Sequence, residues 1–232
     1  MLEIAYTPHW FYGNEIIIDI VSVVVLLLIA LFSLKSYYVT KTNKNHLIFS
    51  TAFFLLAFSF IGKILMNFTV FYKQTVVDYT TPLILSYTVI QSTETLVIWG
   101  YFFYRIFTLI GFYLLFRIYH KHSLCLTLLI MYLLIATTFL SYPQGLLFHL
   151  NMFLLLSLIA IHHRKHCLNF TCIKQNCFTF SFALLAISQL LMIFMAVPSV
   201  YVIGRIVQFS GYVALLVTFL LVLFHGKKKV KK

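Results

Sequence analysis

Long apolar runs separated by short polar segments make up most of the chain. The runs cover about residues 16–34, 47–71, 95–118, 123–141, 146–162, 178–197 and 200–225. A helix that crosses about 30 Å of hydrocarbon needs roughly 20 residues. In lipid, a helix satisfies all backbone polar groups within one segment. The pattern therefore predicts an all-α integral membrane protein, a seven-transmembrane-helix bundle that forms a single domain over residues 1–232.

Three of the segments between the runs carry turn or capping signals. Residues 142–145 (Tyr-Pro-Gln-Gly) combine Pro with Gly and predict a tight turn, so the fourth and fifth runs form a helical hairpin. Residues 196–199 (Ala-Val-Pro-Ser) separate the last two runs. Because both breaks are short, six spans stay an alternative to seven. In the longer segment 73–94, Thr81-Pro82 predicts a short helix through about residue 91 along the membrane surface.

The composition excludes several classes of protein. Apolar residues make up 62% of the chain and charged residues 9%, against roughly 45–50% and about 25% in soluble domains. A soluble globular protein, a disordered chain and a secreted disulfide scaffold are therefore excluded. Seven spans use about 140–160 residues, which leaves too few for a catalytic or DNA-binding domain outside the membrane.

The basic residues indicate the orientation of the chain in the membrane. There are 17 Lys+Arg and 5 Asp+Glu, a net charge of +12, which in a soluble protein would suggest nucleic acid. With the N-terminus outside, thirteen of the basic residues fall on the inner side: Arg117 at the end of the third run, and the residues of the loops at about 35–46, 119–122 and 163–177 and of the tail 227–232. The five acids then fall on the outer side or in the outer part of a span. This distribution predicts a plasma-membrane protein with its N-terminus outside and its C-terminus inside.

The same charges predict the partners and the processing of the chain. Basic inner loops and a basic tail attract anionic lipid headgroups, and no nucleic acid is expected as a partner. The first run follows Glu3 and Glu15 and precedes Lys35. This order lacks the basic start of a cleavable signal peptide, so we expect an uncleaved first span.

Four ionisable residues lie within the predicted spans, where each needs a partner or a function. They are Asp19, Lys63, Arg105 and Arg205. At about 1.5 Å rise per residue, the first, second and fourth lie at a similar depth below the outer surface, and Arg105 lies nearer the middle. In a sequential ring of seven helices the first, second and last are neighbours. We therefore expect Asp19, Lys63 and Arg205 to meet.

Neutral polar residues extend this outer polar level. The candidate site consists of Asp19, Lys63, Asn67, Arg105, Gln189, Arg205 and Gln208, with His149 and Asn151 nearby. One interpretation is an interhelical polar cluster with a structural role. The other is a pocket open to the outside that holds a small anionic ligand, since three cations against Asp19, with Glu94 at the rim, leave excess positive charge.

Aromatic and small residues predict contacts between helices. Rings surround Arg105 in the sequence, namely Trp99, Tyr101, Phe102, Phe103, Tyr104 and Phe107, so at least one is expected to stack on its guanidinium. Gly204, Gln208 and Gly211 share one face of the last helix. Small residues at this spacing predict close helix packing, with a dimer face as the alternative.

Catalytic, cofactor and metal chemistry is poorly supported. The chain lacks G-x-S-x-G, H-E-x-x-H and a phosphate-binding glycine loop. Cys167, Cys172 and Cys177 lie near several histidines but have C-x4-C spacing, whereas zinc and iron–sulfur sites favour C-x2-C pairs. The last span has no lysine for a retinal Schiff base. We therefore expect a protein that is not an enzyme and has no cofactor or metal.

Two stretches carry a resemblance to a known group of proteins. Residues 46–60 (HLIFSTAFFLLAFSF) and 201–212 (YVIGRIVQFSGY) resemble the second and last helices of prokaryotic seven-helix membrane sensor regions. Such regions are fused to histidine kinases, and small stand-alone archaeal membrane proteins are similar. The resemblance implies a sensor of a small ligand or of membrane state. Because only six residues follow Gly226, output is expected through a separate protein partner.

The leading functional hypothesis is a non-enzymatic, sensor- or receptor-like membrane protein with a polar pocket in its outer half. The alternatives are a small-solute transporter and a structural or assembly subunit of a membrane complex. A transporter needs polar residues along a complete path, and the predicted inner half is almost entirely apolar. This contrast favours a sensor or an assembly subunit.

Overall fold

The computed structural model is a bundle of helices. It describes residues 11, 13–40, 44–79, 83–119, 124–140, 145–166, 173–194 and 197–230, and side chains over 11, 13–39, 45–66, 98–118, 127–140, 145–164, 176–194 and 197–221. Seven helices lie in these ranges: α1 (Asn14–Thr40), α2 (Lys44–Tyr79), α3 (Leu83–Tyr119), α4 (Leu124–Leu140), α5 (Leu146–His166), α6 (Ile173–Ile193) and α7 (Pro198–Val230). The predicted all-α class is confirmed.

Six of the seven helices in the described ranges are long and apolar enough to cross a membrane. The exception is α4, whose described apolar stretch Thr127–Leu140 is shorter. The bundle also exposes large apolar side chains on its outside, such as Ile17, Val24 and Leu31 along one face of α1. A soluble protein buries such residues, whereas lipid solvates them. These features are those of a multi-pass membrane protein.

Local sequence explains several helix boundaries. Gly13 has a φ of 89° and precedes α1, and Gly145 has a φ of 69° and precedes α5. Glycine adopts this left-handed conformation without steric cost. Pro198 is the first residue of α7, where its missing N–H needs no partner. The predicted break between the last two runs is therefore confirmed.

The prediction for segment 73–94 is wrong. Helix α2 continues to Tyr79, and α3 begins at Leu83 and runs without a break to Tyr119. There is thus no separate surface helix that ends near residue 91. The capping signal at Thr81-Pro82 correctly marks a helix start. Residues 83–99 contain neither Gly nor Pro, so the backbone hydrogen bonds of the helix continue without a break into the span.

The helices form a ring of six with the seventh outside. Helix α1 packs against α2 and α7, α2 against α3, α3 against α5, α5 against α6, and α6 against α7. Helix α4 has smaller contacts with α3 and α5. The predicted sequential ring of seven is therefore wrong at α4. Its sequence has no charged residue and is mostly apolar, so lipid can surround it as readily as neighbouring helices do.

Two glycines allow close contacts within the ring. A Cβ atom on Gly111 of α3 would lie 2.8 Å from Leu56 Cγ on α2. A Cβ atom on Gly211 of α7 would lie 2.8 Å from Leu185 Cδ2 on α6. The small-residue face of α7 therefore packs against α6 of the same chain. Close packing is confirmed there, and the alternative of a dimer face is wrong because that face is already occupied.

Candidate functional site

Asp19 is the centre of an ion cluster that joins α1, α2 and α7. Its side chain is fully buried, and both carboxylate oxygens accept hydrogen bonds from Arg205 Nη2, at 2.8 and 2.9 Å. Lys63 Nζ lies 2.9 Å from Oδ2 and 3.3 Å from Oδ1 of the same carboxylate. Lys63 and Arg205 are also buried. The expected meeting of these three residues is confirmed.

A second carboxylate and two polar side chains extend this ion cluster. Arg205 Nη1 donates a hydrogen bond of 2.9 Å to Gln208 Oε1, as its predicted proximity suggested. The Tyr201 hydroxyl donates a 2.7 Å bond to Glu15 Oε2, which lies 4.0 Å from Arg205 Nη2. Glu15 and Tyr201 were not predicted as members. Each precedes a predicted member by four residues, and this spacing puts both on the same helix faces.

The ion cluster joins parts of the chain that are far apart in sequence. Asp19 and Arg205 are separated by 186 positions, so their bond ties the first helix of the ring to the last. Removing one partner of a buried ion pair typically destabilises a protein by about 3–5 kcal/mol, because the remaining charge is left uncompensated. The cluster therefore strongly favours one arrangement of α1, α2 and α7.

Arg105 contacts a different set of residues, on α3 and at the start of α5. It is buried on α3, with its guanidinium carbon 5.8 Å from the ring centroids of Tyr101 and Phe148. Ring stacking on Arg105 is thus confirmed, and the ring from α5 was not predicted. A Cβ atom on Gly145 would lie 2.8 Å from Arg105 Nη2. A larger residue there would displace the guanidinium and would also be strained by the φ of 69° at this position.

Three further predicted residues, Gln189, His149 and Asn151, form other pairs. Gln189 Oε1 on α6 lies 2.9 Å from His149 Nδ1 on α5, so these two side chains pair with each other. Asn151 Nδ2 donates a 2.8 Å bond to Thr137 Oγ1 and so links α5 to the outer helix α4. The side chain of Asn67 lies outside the described residues, as do Glu94, Cys167 and Cys172.

Each helix of the ring supplies a polar side chain to one level of the interior. We call this set the polar layer: Asp19 on α1, Lys63 on α2, Arg105 on α3, His149 on α5, Gln189 on α6 and Arg205 on α7. Ring contacts link its members: the Tyr104 ring lies 5.7 Å from Lys63 Nζ and 5.8 Å from the Phe148 ring, and the Phe148 ring lies 5.8 Å from the Arg105 guanidinium carbon. Glu15 adds a second carboxylate beside Arg205.

The described interior away from the polar layer is mainly apolar. Several of its buried hydroxyls donate to backbone carbonyls, as Ser50 Oγ does to Ala30 O at 2.8 Å, whereas the buried Tyr113 hydroxyl has no hydrogen-bond partner among the described atoms. Phe53, Phe112 and Phe182 are each 1% exposed and pack in the apolar core. Among the described side chains, the buried charged ones (Asp19, Lys63, Arg105 and Arg205) all belong to the polar layer.

The polar layer offers hydrogen-bond donors and ion pairing. Within the part of the chain that the structure describes, no three His, Cys, Asp or Glu side chains are grouped as metal ligands. Comparisons with protein-family models, curated proteins and solved structures found no match to this chain. Fold and site together define a helical membrane protein with a charged polar layer inside a ring of six helices.

Proposed function

We propose that this chain is a non-enzymatic, sensor- or receptor-like protein of the plasma membrane, with seven spans. In this proposal the N-terminus lies outside and the C-terminus inside. The polar layer in the outer half receives a small ligand, and α7 passes the signal to a protein partner at the inner face. The observation that carries the proposal is the buried Asp19–Arg205 ion pair between α1 and α7.

The shape of α7 supports this route for a signal. The helix runs unbroken over 33 residues from Pro198 to Val230, a length of about 50 Å. Arg205 lies near its first end, and the basic residues follow Gly226 at the other. A change in the hydrogen bonds of Arg205 would shift a continuous helix whose far end is basic. A local change in charge pairing that biases a packed element is a common form of switch.

The contacts of α3 and α5 support a membrane crossing by α4. Near the start of α5, the Phe148 ring contacts Arg105. Near its end, the His162 ring lies 5.9 Å from the Phe116 ring, which is later in α3. The two helices are therefore parallel, and the chain between them has to return across the same depth. This return favours seven spans over six, with the termini on opposite sides.

Exposed charges support the orientation. Lys35, Arg117 and Arg164 are exposed near the C-terminal ends of α1, α3 and α5, whereas Glu15 and Asp19 lie at the opposite end of the bundle. With cations at the cytoplasmic face, the N-terminus of α1 lies outside. The exposed cations and the basic tail would also contact anionic lipid headgroups.

A specific observation favours one alternative function. Both oxygens of Asp19 are paired within the chain, as expected for a structural or assembly subunit of a membrane complex. Transport has less support, because Phe53, Phe112 and Phe182 occupy the core where a continuous polar path would be needed.

Photo-crosslinking in native membranes separates these functions. A benzophenone amino acid replaces Leu221 near the inner end of α7, in the wild-type background and with Arg205→Gln. If the protein is a sensor, we expect an adduct with a partner whose yield changes at least about twofold with Arg205→Gln. Arg117→Gln is the control, because it removes the same charge from an exposed residue, and it should leave the yield unchanged. An adduct of unchanged yield would favour an assembly subunit and refute the sensor. Absence of any adduct would refute both.

A further inference from the structure

Tyr132 of α4 places a polar group on the outside of the bundle, where no described residue pairs with it. Its side chain is 68% exposed, and its hydroxyl makes no hydrogen bond to another described residue. Thr51 and Ser210 are also exposed within apolar helices, but each hydroxyl donates to the backbone carbonyl four residues earlier, as Ser and Thr commonly do in helices. The rigid tyrosine ring holds its hydroxyl away from the backbone, so the partner has to come from another molecule.

Contacts between α4 and α5 give the depth of this hydroxyl in the membrane. Asn151, which bonds to Thr137 of α4, lies five residues after the first residue of α5, a distance of about 8 Å along the helix axis. Tyr132 precedes Thr137 by five residues, so it lies about 8 Å further inward as α4 returns across the same depth. A depth of roughly 15 Å is the middle of a hydrocarbon layer about 30 Å thick. Water is absent there, and a tyrosine cannot reach the interface, where this residue is usually found.

The exposed side chains around Tyr132 form a seam along α4. The seam consists of Leu128, Tyr132, Ile135 and Phe139, which follow one another at intervals of four, three and four residues and are all exposed. This is the spacing of the contact positions in a two-stranded coiled coil. Leu134, on a different face of α4, is buried in the core of the bundle. The seam therefore points away from the ring of helices.

A second copy of this chain matches the seam in depth, charge and access. Copies inserted in the same orientation carry Tyr132 at the same depth, so a two-fold axis along the membrane normal brings the two hydroxyls level. An unrelated membrane protein would need an acceptor at this one depth. Helix α4 has no charged residue, so two copies do not repel each other there. Because α4 lies outside the ring, with smaller contacts to α3 and α5, its outer face is accessible to a neighbour.

We propose that this seam is the interface between two copies of the chain in the membrane. The two α4 helices run side by side, one Tyr132 hydroxyl donates to the other across the two-fold axis, and the apolar seam residues pack on either side of this bond. The interface is distinct from the small-residue face of α7, which packs against α6. The inference rests on the proposed function for the membrane crossing of α4 and adds the partner that α4 binds.

Photo-crosslinking of the full chain in native membranes tests the contact directly. A benzophenone amino acid replaces Ile135 in the seam. In the control protein it replaces Ile187 of α6, which is also an exposed isoleucine. The seam position should give an adduct of two copies of the chain, and the α6 position should give little or none.

Energy transfer between donor- and acceptor-labelled chains in phosphatidylcholine vesicles measures the affinity as added lipid dilutes the protein. Tyr132→Phe keeps the ring and removes the hydroxyl. It should weaken association about threefold or more, which corresponds to one interhelical hydrogen bond in lipid. The control is Tyr38→Phe on α1, because Tyr38 is 65% exposed and loses the same hydroxyl. This control should leave the affinity unchanged.

A second pair of variants tests the packing of the seam. Leu128→Ala should also weaken association, whereas Leu65→Ala on α2 should not, although both leucines are 62% exposed. All four substituted side chains are exposed to lipid, so each variant should unfold in detergent at the temperature of the wild-type chain.

Several results would overturn the proposal. Chains that stay monomeric at every lipid ratio, or an Ile135 adduct with a different protein alone, would reject a second copy as the occupant. Association that Tyr132→Phe and Leu128→Ala leave unchanged would assign the dimer to another face. If the Ile135 adduct is absent but the Leu221 adduct still responds to Arg205→Gln, the interface is wrong and the sensor function stands. If the Ile135 adduct forms and the Leu221 adduct does not respond, the sensor function is wrong and the interface stands.

Discussion

Replacing Asp19 by Asn tests whether the ion cluster holds the helix ring together. The substitution keeps the shape of the side chain but removes the negative charge that contacts both Lys63 and Arg205. Two buried cations then lie together without their shared carboxylate. We expect a loss of about 3–5 kcal/mol in unfolding free energy. The larger part of this loss comes from the uncompensated charges rather than from the hydrogen bonds.

The same geometry predicts a smaller effect at Lys63. Lys63→Met leaves both hydrogen bonds between Asp19 and Arg205 in place, so the carboxylate keeps a full counter-charge. Hydrogen bonds to charged groups contribute about 1.5–3 kcal/mol, and removal of a buried ammonium offsets part of that loss. We expect a net loss of about 1–2 kcal/mol. The exposed Lys35, on α1, is the control, and Lys35→Met should change stability by less than about 0.5 kcal/mol.

The double variant gives the sharpest result. Once Asp19 is Asn, Lys63→Met removes a cation that has lost its partner, so the second change should cost little or even restore stability. Unfolding in mixed micelles, followed by tryptophan fluorescence or helical circular dichroism, measures the single variants and the double variant. We expect a coupling energy of about 0.5–3 kcal/mol. Strictly additive losses would mean that the two residues do not interact, and the ion cluster would have to be rejected.

Further substitutions test the close contacts of glycines and the orientation. Gly145→Ala should destabilise the protein by about 1–3 kcal/mol, because the φ of 69° is strained for alanine and the methyl group would meet Arg105; thermal unfolding measures this. Gly211→Ala should destabilise it by about 1–2 kcal/mol through overlap with Leu185. Gly62→Ala, with nothing within 4 Å of the new Cβ atom, should instead stabilise α2 by about 0.5–1 kcal/mol. Stability changes of the same sign in Gly62→Ala and Gly211→Ala would refute the packing argument. An epitope tag at the C-terminus should be protected from antibody in intact cells and become accessible after permeabilisation; labelling of intact cells would refute the orientation.

Much of the ion cluster follows from local sequence because lipid limits where charge can lie. Asp19, Lys63 and Arg205 stand out as ionisable residues within apolar runs, and their depth follows from the helical rise. Glu15 and Tyr201 escaped prediction because each lies at the end of an apolar run, where polar residues are common. Only their i, i+4 relation to Asp19 and Arg205 distinguishes them.

The sequence alone determines three properties. They are the helical class, the helix starts marked by proline and glycine, and the end of the bundle that carries the positive charge. These properties depend on the composition of single segments, since each apolar run has to satisfy its own backbone in lipid. The tertiary structure alone decides which helices are neighbours. It places α4 outside the ring, pairs Gln189 with His149 and brings Phe148 to Arg105. No hydrophobic force selects partners among helices that lipid solvates equally well, so the choice depends on the fit of particular side chains.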